Sequence, residues 1–136
     1  MKNRREVIQA SLASLFLAAF GSCEVTENVD IVTIYRGDLP PVNLGGWQVT
    51  VLELIFPAGV SSPKHTHPGF VLGYVLEGEF HFQIEGDSER ILSPGEVFFE
   101  PQGAVHLRSG SASATKPAKV LALAFTEKGK ELTRLL

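Results

Sequence analysis

Short runs of alternating apolar and polar residues, broken by turn residues at intervals of roughly 8–12 positions, run from Ile31 to Phe125. The pattern predicts strands at Ile31–Tyr35, Trp47–Phe56, His65–His67, Phe70–Leu76, Glu79–Ile84, Glu89–Leu92, Val97–Glu100, Val105–Ser109 and Lys119–Phe125. Between them stand Pro57-Ala58-Gly59, Pro68-Gly69, Glu77-Gly78, Glu85-Gly86-Asp87 and Ser93-Pro94-Gly95, whose residues supply the dihedral angles that turns require. The chain therefore reads as all-β, and many short, evenly spaced strands imply a sandwich or barrel that limits exposed sheet edges. Ser109 to Pro117 reads as a polar, mobile loop, and Thr126 to Leu136 as a tail with a turn of helix.

Strand parity then sorts the four histidines. Side chains two apart on an extended strand share a face, so His65 and His67 present their rings side by side to one ion about 2.0–2.2 Å away. Gly95 to His106 reads as a strand ending in a rigid turn, where Pro101 sets one dihedral and Gly103 permits a tight reversal that delivers His106. In Glu79–Ile84 the apolar Phe80, Phe82 and Ile84 share one face, which turns His81 toward solvent. A hairpin at Glu77-Gly78 would pair His81 with about Tyr74, on the order of 10 Å from the level of Val71. Any one histidine alone reads as a satisfied strand-end group, whereas His65, His67 and His106 at these spacings read as a ligand set. Glu53, within an apolar strand, and Glu100, beside the Pro101 turn, read equally well as solvated charges; Glu100 reads also as a supporting or acid/base group near the ligands.

Gly59, His65, His67 and Gly78 fit the pattern G-x5-H-x-H-x(3,4)-E-x6-G, and Gly95, Pro101, Gly103 and His106 fit G-x5-P-x-G-x2-H-x3-N. In these two motifs, in this order, the chain resembles the cupin superfamily over roughly Gly37 to Phe125. It departs from the family pattern at Val71, where a metal-binding glutamate is most common, and at Gly110, where an asparagine is common. The resemblance implies a double-stranded β-helix, or jelly roll, with one divalent transition metal ion near an open end of the barrel, a small-molecule ligand or substrate, and a homodimer. Fe, Mn, Ni, Cu and Zn are not distinguished by imidazole ligands.

Three neutral imidazoles leave open positions on the ion, a catalytic rather than a structural layout. With iron, the resemblance implies a dioxygenase acting on a small organic molecule; with zinc, activation of bound water. A non-catalytic module that captures a small molecule or a metal is the alternative, and a barrel that has lost its ion is a third. No catalytic residue beyond the ligands is assigned.

A length of 136 residues, 44% of them hydrophobic, suits one domain with its own core. Residues 1–23 read as an export signal: Lys2, Arg4 and Arg5, then the apolar Ala10–Phe20, then Gly21, Ser22 and Cys23. Asn3 to Gln9 resembles a twin-arginine signal, and the apolar stretch is too short to span a bilayer. The alternative is a basic amphipathic helix that stays attached. Phe20-Gly21-Ser22-Cys23 resembles a lipoprotein cleavage box, leaving two endings open: a lipid anchor on Cys23, or cleavage after Gly21 to release a periplasmic protein. Residues 24–136 form the single barrel domain on this reading, and Cys23, the only cysteine, permits no internal disulfide. Residues 24–136 hold 9 basic and 14 acidic side chains, a net charge of −5, which argues against nucleic acid as a partner. Membrane contact is expected only through the Cys23 anchor.

Overall fold

In the computed structural model the described residues are 7–8 and 31–136. The export signal, the boundary at 23/24 and the Cys23 anchor lie outside them, apart from the two-residue strand β1 (Val7–Ile8), which pairs antiparallel with β2 (Ile31–Val32). The chain divides into two units, Met1–Gly37 and Asp38–Leu136, and the second contains the barrel.

The barrel's strands are β3 (Trp47–Phe56), β4 (His65–Thr66), β5 (Phe70–Glu77), β6 (Phe80–Ile84), β7 (Arg90–Leu92), β8 (Val97–Glu100), β9 (Val105–Ser111), β10 (Ala118–Glu127) and β11 (Arg134–Leu135). They form two antiparallel sheets, one ordered β3-β10-β5-β8 and the other β11-β4-β9-β6-β7. This is the double-stranded β-helix, and no helix occurs among the described residues. Period-two alternation explains the layering. In β10 every second residue from Ala118 to Thr126 is buried while those between are half-buried, so one face meets the interior and the other does not.

Phe56, Phe80, Phe82, Phe98, Val75 and Val120 belong to one buried hydrophobic cluster. Phe98 stacks on Phe80 and tilts against Phe82 at centroid distances of 5.3 and 4.7 Å. Each such buried side chain contributes roughly 1.5–3 kcal/mol of transfer free energy. Gly73 makes room for Phe98, because a Cβ there would run into the ring.

Three expectations are corrected. Glu77-Gly78 does not close a hairpin: β5 pairs with β10 and β8, whereas β6 pairs with β7 and β9, so the turn carries the chain from one sheet to the other. Gly78 has φ +71° and lies against the Pro117 carbonyl, which excludes a side chain there. The tail does not coil into a helical turn; Arg134 and Leu135 pair with Thr66 and His65 at the edge of the second sheet. Helical propensity is a fraction of a kcal/mol per residue, and unpaired edge groups outweigh it. The serine-rich stretch expected to be mobile begins inside β9 and is tied down, since the buried Ser111 hydroxyl donates to the Lys116 carbonyl at 2.7 Å.

Candidate metal centre

β4 and β9 lie antiparallel with His65 directly opposite His106. Facing residues in such a pair bring their Cβ atoms to about 4.5–5.5 Å, and the two rings stand 4.9 Å apart between centroids. His67 follows β4 and turns its ring edge-on to His65 at 5.0 Å. The loop before β9 is bonded to this segment: the Gly103 amide donates to the His67 carbonyl at 3.0 Å, and the Thr66 hydroxyl donates to the Ala104 carbonyl at 3.0 Å. The two motifs thus hold each other.

The fourth member of the cluster is Glu100, the last residue of β8. The ligand atoms of His65, His67, Glu100 and His106 all lie within 4.8 Å of one another. Donors about 2.1 Å from one ion stand about 3–4.2 Å apart, so adjustments of a few tenths of an ångström would close the set on a single ion. Glu100 Oε2 is 3.4 Å from His67 Nε2 and 3.0 Å from His106 Nδ1.

From the sequence, Glu100 reads as a solvated charge or as a supporting or acid/base group. The structure buries it to 3% exposure, opposite Val71 in the β5–β8 pair. Val71 holds the place where cupins most often carry the ligand glutamate, so the carboxylate comes from the neighbouring strand at the same level of the barrel. The signal in the sequence is the even spacing of Phe98 and Glu100, which points both inward, but reading it requires knowing that β8 lies beside β5.

Hydrogen bonds set the tautomers of two rings. His65 Nδ1 donates to the Pro63 carbonyl at 2.8 Å, and His67 Nδ1 donates to the Leu132 carbonyl at 2.7 Å. A carbonyl only accepts, so Nδ1 carries a proton in both rings and Nε2 is the lone-pair nitrogen of their neutral form. Burial, helped by the neighbouring His106 and His67, holds His65 below the usual imidazole range against the opposing pull of the Pro63 carbonyl, which favours the neutral ligand form. Glu100 Oε2 and His106 Nδ1 face each other at 3.0 Å, but among the described residues neither they, nor His106 Nε2, nor Thr126 Oγ1 forms a well-directed hydrogen bond. Buried polar groups are nearly always satisfied, and orphaned ones signal a group that belongs with them. The donor set fits a divalent transition metal.

A cavity of about 350 Å³ opens beside these donors. Its walls include Leu52, Phe56, Val71, Phe98, Ala122 and Leu132. His81 is elsewhere: it pairs across β6 with Ile91 and Gly110, and its Nδ1 lies 2.6 Å from Glu89 Oε1. Glu53 faces outward, 3.9 Å from Lys119 Nζ. Gly110, in place of the common asparagine, packs against the backbone of Val60 and Ser61, where any side chain would collide.

The cupin-domain family model matches residues 52–124. Among curated proteins, dimethylsulfoniopropionate lyase DddQ of Ruegeria pomeroyi is 42% identical over 50 residues, covering 37% of this chain and 25% of that protein. Putative germin-like protein 2-2 of Oryza sativa subsp. japonica is 25% identical over 114 residues, covering 79% of this chain and 50% of its own length. The chain thus spans a quarter to a half of these relatives. The crystal structure of the Ruegeria lyase superposes with a TM-score of 0.56 at 29% identity, over 64% of this chain and 42% of that one. A cupin-like protein of Thermotoga maritima superposes with a TM-score of 0.56 at 25% identity, over 65% and 64% of the two chains.

Proposed function

Because the chain belongs to the cupin-domain family, whose model matches more than half of its length, we propose that it is a metal-dependent enzyme in which His65, His67, His106 and Glu100 hold one divalent transition metal ion and a small organic molecule is oxidised beside it. The observation that carries this reading is the convergence of the buried Glu100 carboxylate and His106 ring, neither with a well-directed hydrogen bond at the facing atoms, within 4.8 Å of two histidines anchored through Nδ1.

Such an ion supplies Lewis-acid charge and, for a redox-active metal, a route to dioxygen. The chain's own residues do the rest. The Pro63 and Leu132 carbonyls orient His65 and His67, and Glu100 offsets part of the ion's charge. The apolar walls exclude water from the reacting groups. Apart from the four donors and the outward-turned Glu53, the polar side chains lining the cavity are Ser62, Ser109 and Thr133. Hydroxyls are weak bases, so apart from Glu100 these walls offer no strong general base.

Reconstitution with Fe, Mn, Ni, Cu or Zn in turn, followed by oxygen-uptake measurements against small organic acids, tests the proposal. One equivalent of metal and substrate-dependent oxygen consumption, both lost in His67→Ala, is the expected result. Turnover without oxygen would favour a second reading, elimination, which the likeness to the Ruegeria lyase supports. Ligand binding without turnover would leave a non-catalytic binding module.

Two further parts of the proposal concern the whole protein. Export through residues 1–23, with lipid on Cys23 or release into the periplasm, is tested by fractionation and by palmitate labelling of wild type and Cys23→Ala. No helix among the described residues is long and apolar enough to cross a membrane. Homodimer formation is supported by Val49, Val51 and Ile55, exposed on the outer face of the edge strand β3, and is tested by light scattering.

A further inference from the structure

The two ends of the cavity differ in a way that limits what it can bind. At the polar end stand the four donors. Across from the histidines, the inner face of the first sheet presents Val71 and Ala124 side by side, next to Glu100, and one row deeper Gly73 and Ala122. The Phe98 ring fills the space over Gly73, whereas Ala122 and Ala124 line the cavity beside Leu52, Leu54 and Leu132, which pack against them. Opposite Ala122 in the register is Leu52, and Leu132 and Leu135 of the tail add further apolar wall. Among the described residues no Lys, Arg, Asn or Gln lines this space.

Charge arithmetic restricts the ligand's head. A divalent ion with three neutral imidazoles and one carboxylate retains a net charge of +1. Buried charge is costly unless paired, so one anionic group completes the site, and a second would find no cation in the walls. Four protein donors would leave up to two further positions on a six-coordinate ion, enough for a head with two neighbouring donor atoms. Volume restricts the body: 350 Å³ lies at the small end of ligand sites.

We infer that the cavity selects a monoanionic chelating acid with a short apolar body lying over Ala122 and Ala124, and discriminates against ligands with a second carboxylate. This rests on the metal-centre reading above and names the substrate class for it.

The test uses the full chain loaded with nickel(II) and isothermal titration with three acids that share one chelating head: lactate, 2-hydroxyhexanoate and 2-hydroxyglutarate. A buried methylene contributes about fourfold in affinity, so 2-hydroxyhexanoate should bind at least tenfold more tightly than lactate and at least tenfold more tightly than 2-hydroxyglutarate. Ala122→Phe should reduce the preference over lactate to under threefold while nickel content stays at one equivalent, and Ala124→Leu provides the same reading if the first variant folds poorly. Equal affinities for the three acids, or a preference for 2-hydroxyglutarate, with one nickel bound would overturn the inference and leave the metal centre standing. A wild-type protein that binds no nickel, or any of the other metals tried, overturns both.

Discussion

The five-stranded sheet carries His65 and His106 on facing strands and leads directly into His67, whereas the four-stranded sheet contributes one carboxylate, Glu100, to the same cavity. On the first side His65 and His67 are each anchored through Nδ1 to a backbone carbonyl. On the second, Glu100 has no backbone anchor through Oε2; it faces His106 and His67 at 3.0 and 3.4 Å, and its strand neighbour Val71 is apolar. The difference separates two requirements of a metal site that usually appear together. Direction of the donors demands fixed rotamers and tautomers, which hydrogen bonds to rigid backbone provide. Room for a ligand demands side chains that stop short, as Ala122 and Ala124 do.

The largest expected effect lies on the anchored side. His67→Ala removes a donor and leaves the Leu132 carbonyl without its partner, so metal affinity should fall by more than about 100-fold, beyond the 10–100-fold typical for loss of an outer partner. Equilibrium dialysis with element analysis measures it, and an unchanged affinity would dissolve the contrast between the sheets. Next comes Glu100→Gln, which keeps an amide oxygen at the donor's place but removes its charge, with an expected loss of roughly 10–100-fold. A larger loss would place the carboxylate on an equal footing with the imidazoles. Since the substitution removes a buried carboxylate at nearly constant shape, the metal-free protein should stay within about 1 kcal/mol of wild type in denaturant unfolding. Adding Val71→Glu to Glu100→Gln returns the carboxylate to β5 at the same level, and should recover at least tenfold of the lost affinity if only position matters.

The same contrast governs what the sequence disclosed. The histidines were legible because their geometry is local: His65 and His67 are two apart on an extended segment, and Pro101 and Gly103 mark the turn before His106. Strand positions were legible for the same reason, and Trp47–Phe56 and Val97–Glu100 coincide with β3 and β8. Glu100 was only half legible, because its role depends on β8 lying next to β5, a pairing between strands far apart in sequence. The hairpin expected at Glu77-Gly78 failed similarly: turn chemistry shows that the chain reverses there and not which sheet receives it. The tail was misread because its pairing partner, β4, is sixty-eight positions earlier at Thr66 for Arg134.

That tail supplies a smaller test. Deleting residues 132–136 removes the carbonyl that holds His67 and the apolar wall of Leu132 and Leu135, but leaves every proposed ligand in place. Affinity for the metal should fall by roughly 10–100-fold, less than in His67→Ala. An unchanged affinity would show that the five-stranded sheet orients its imidazoles without this strand.

The smallest effect is expected at His81, which shares the five-stranded sheet with His65 and His106 and differs only in the face it occupies. Phe80 and Phe82 on either side are buried at 1% and 4% exposure, so parity places the His81 ring outside, where it meets Glu89 at 2.6 Å. An exposed pair of this kind contributes about 0–1 kcal/mol. His81→Ala should therefore leave metal content at its wild-type value and shift unfolding free energy by less than about 1 kcal/mol. Any loss of metal in this variant would mean that membership of the sheet, rather than the inward face of its strands, decides which histidines serve the centre.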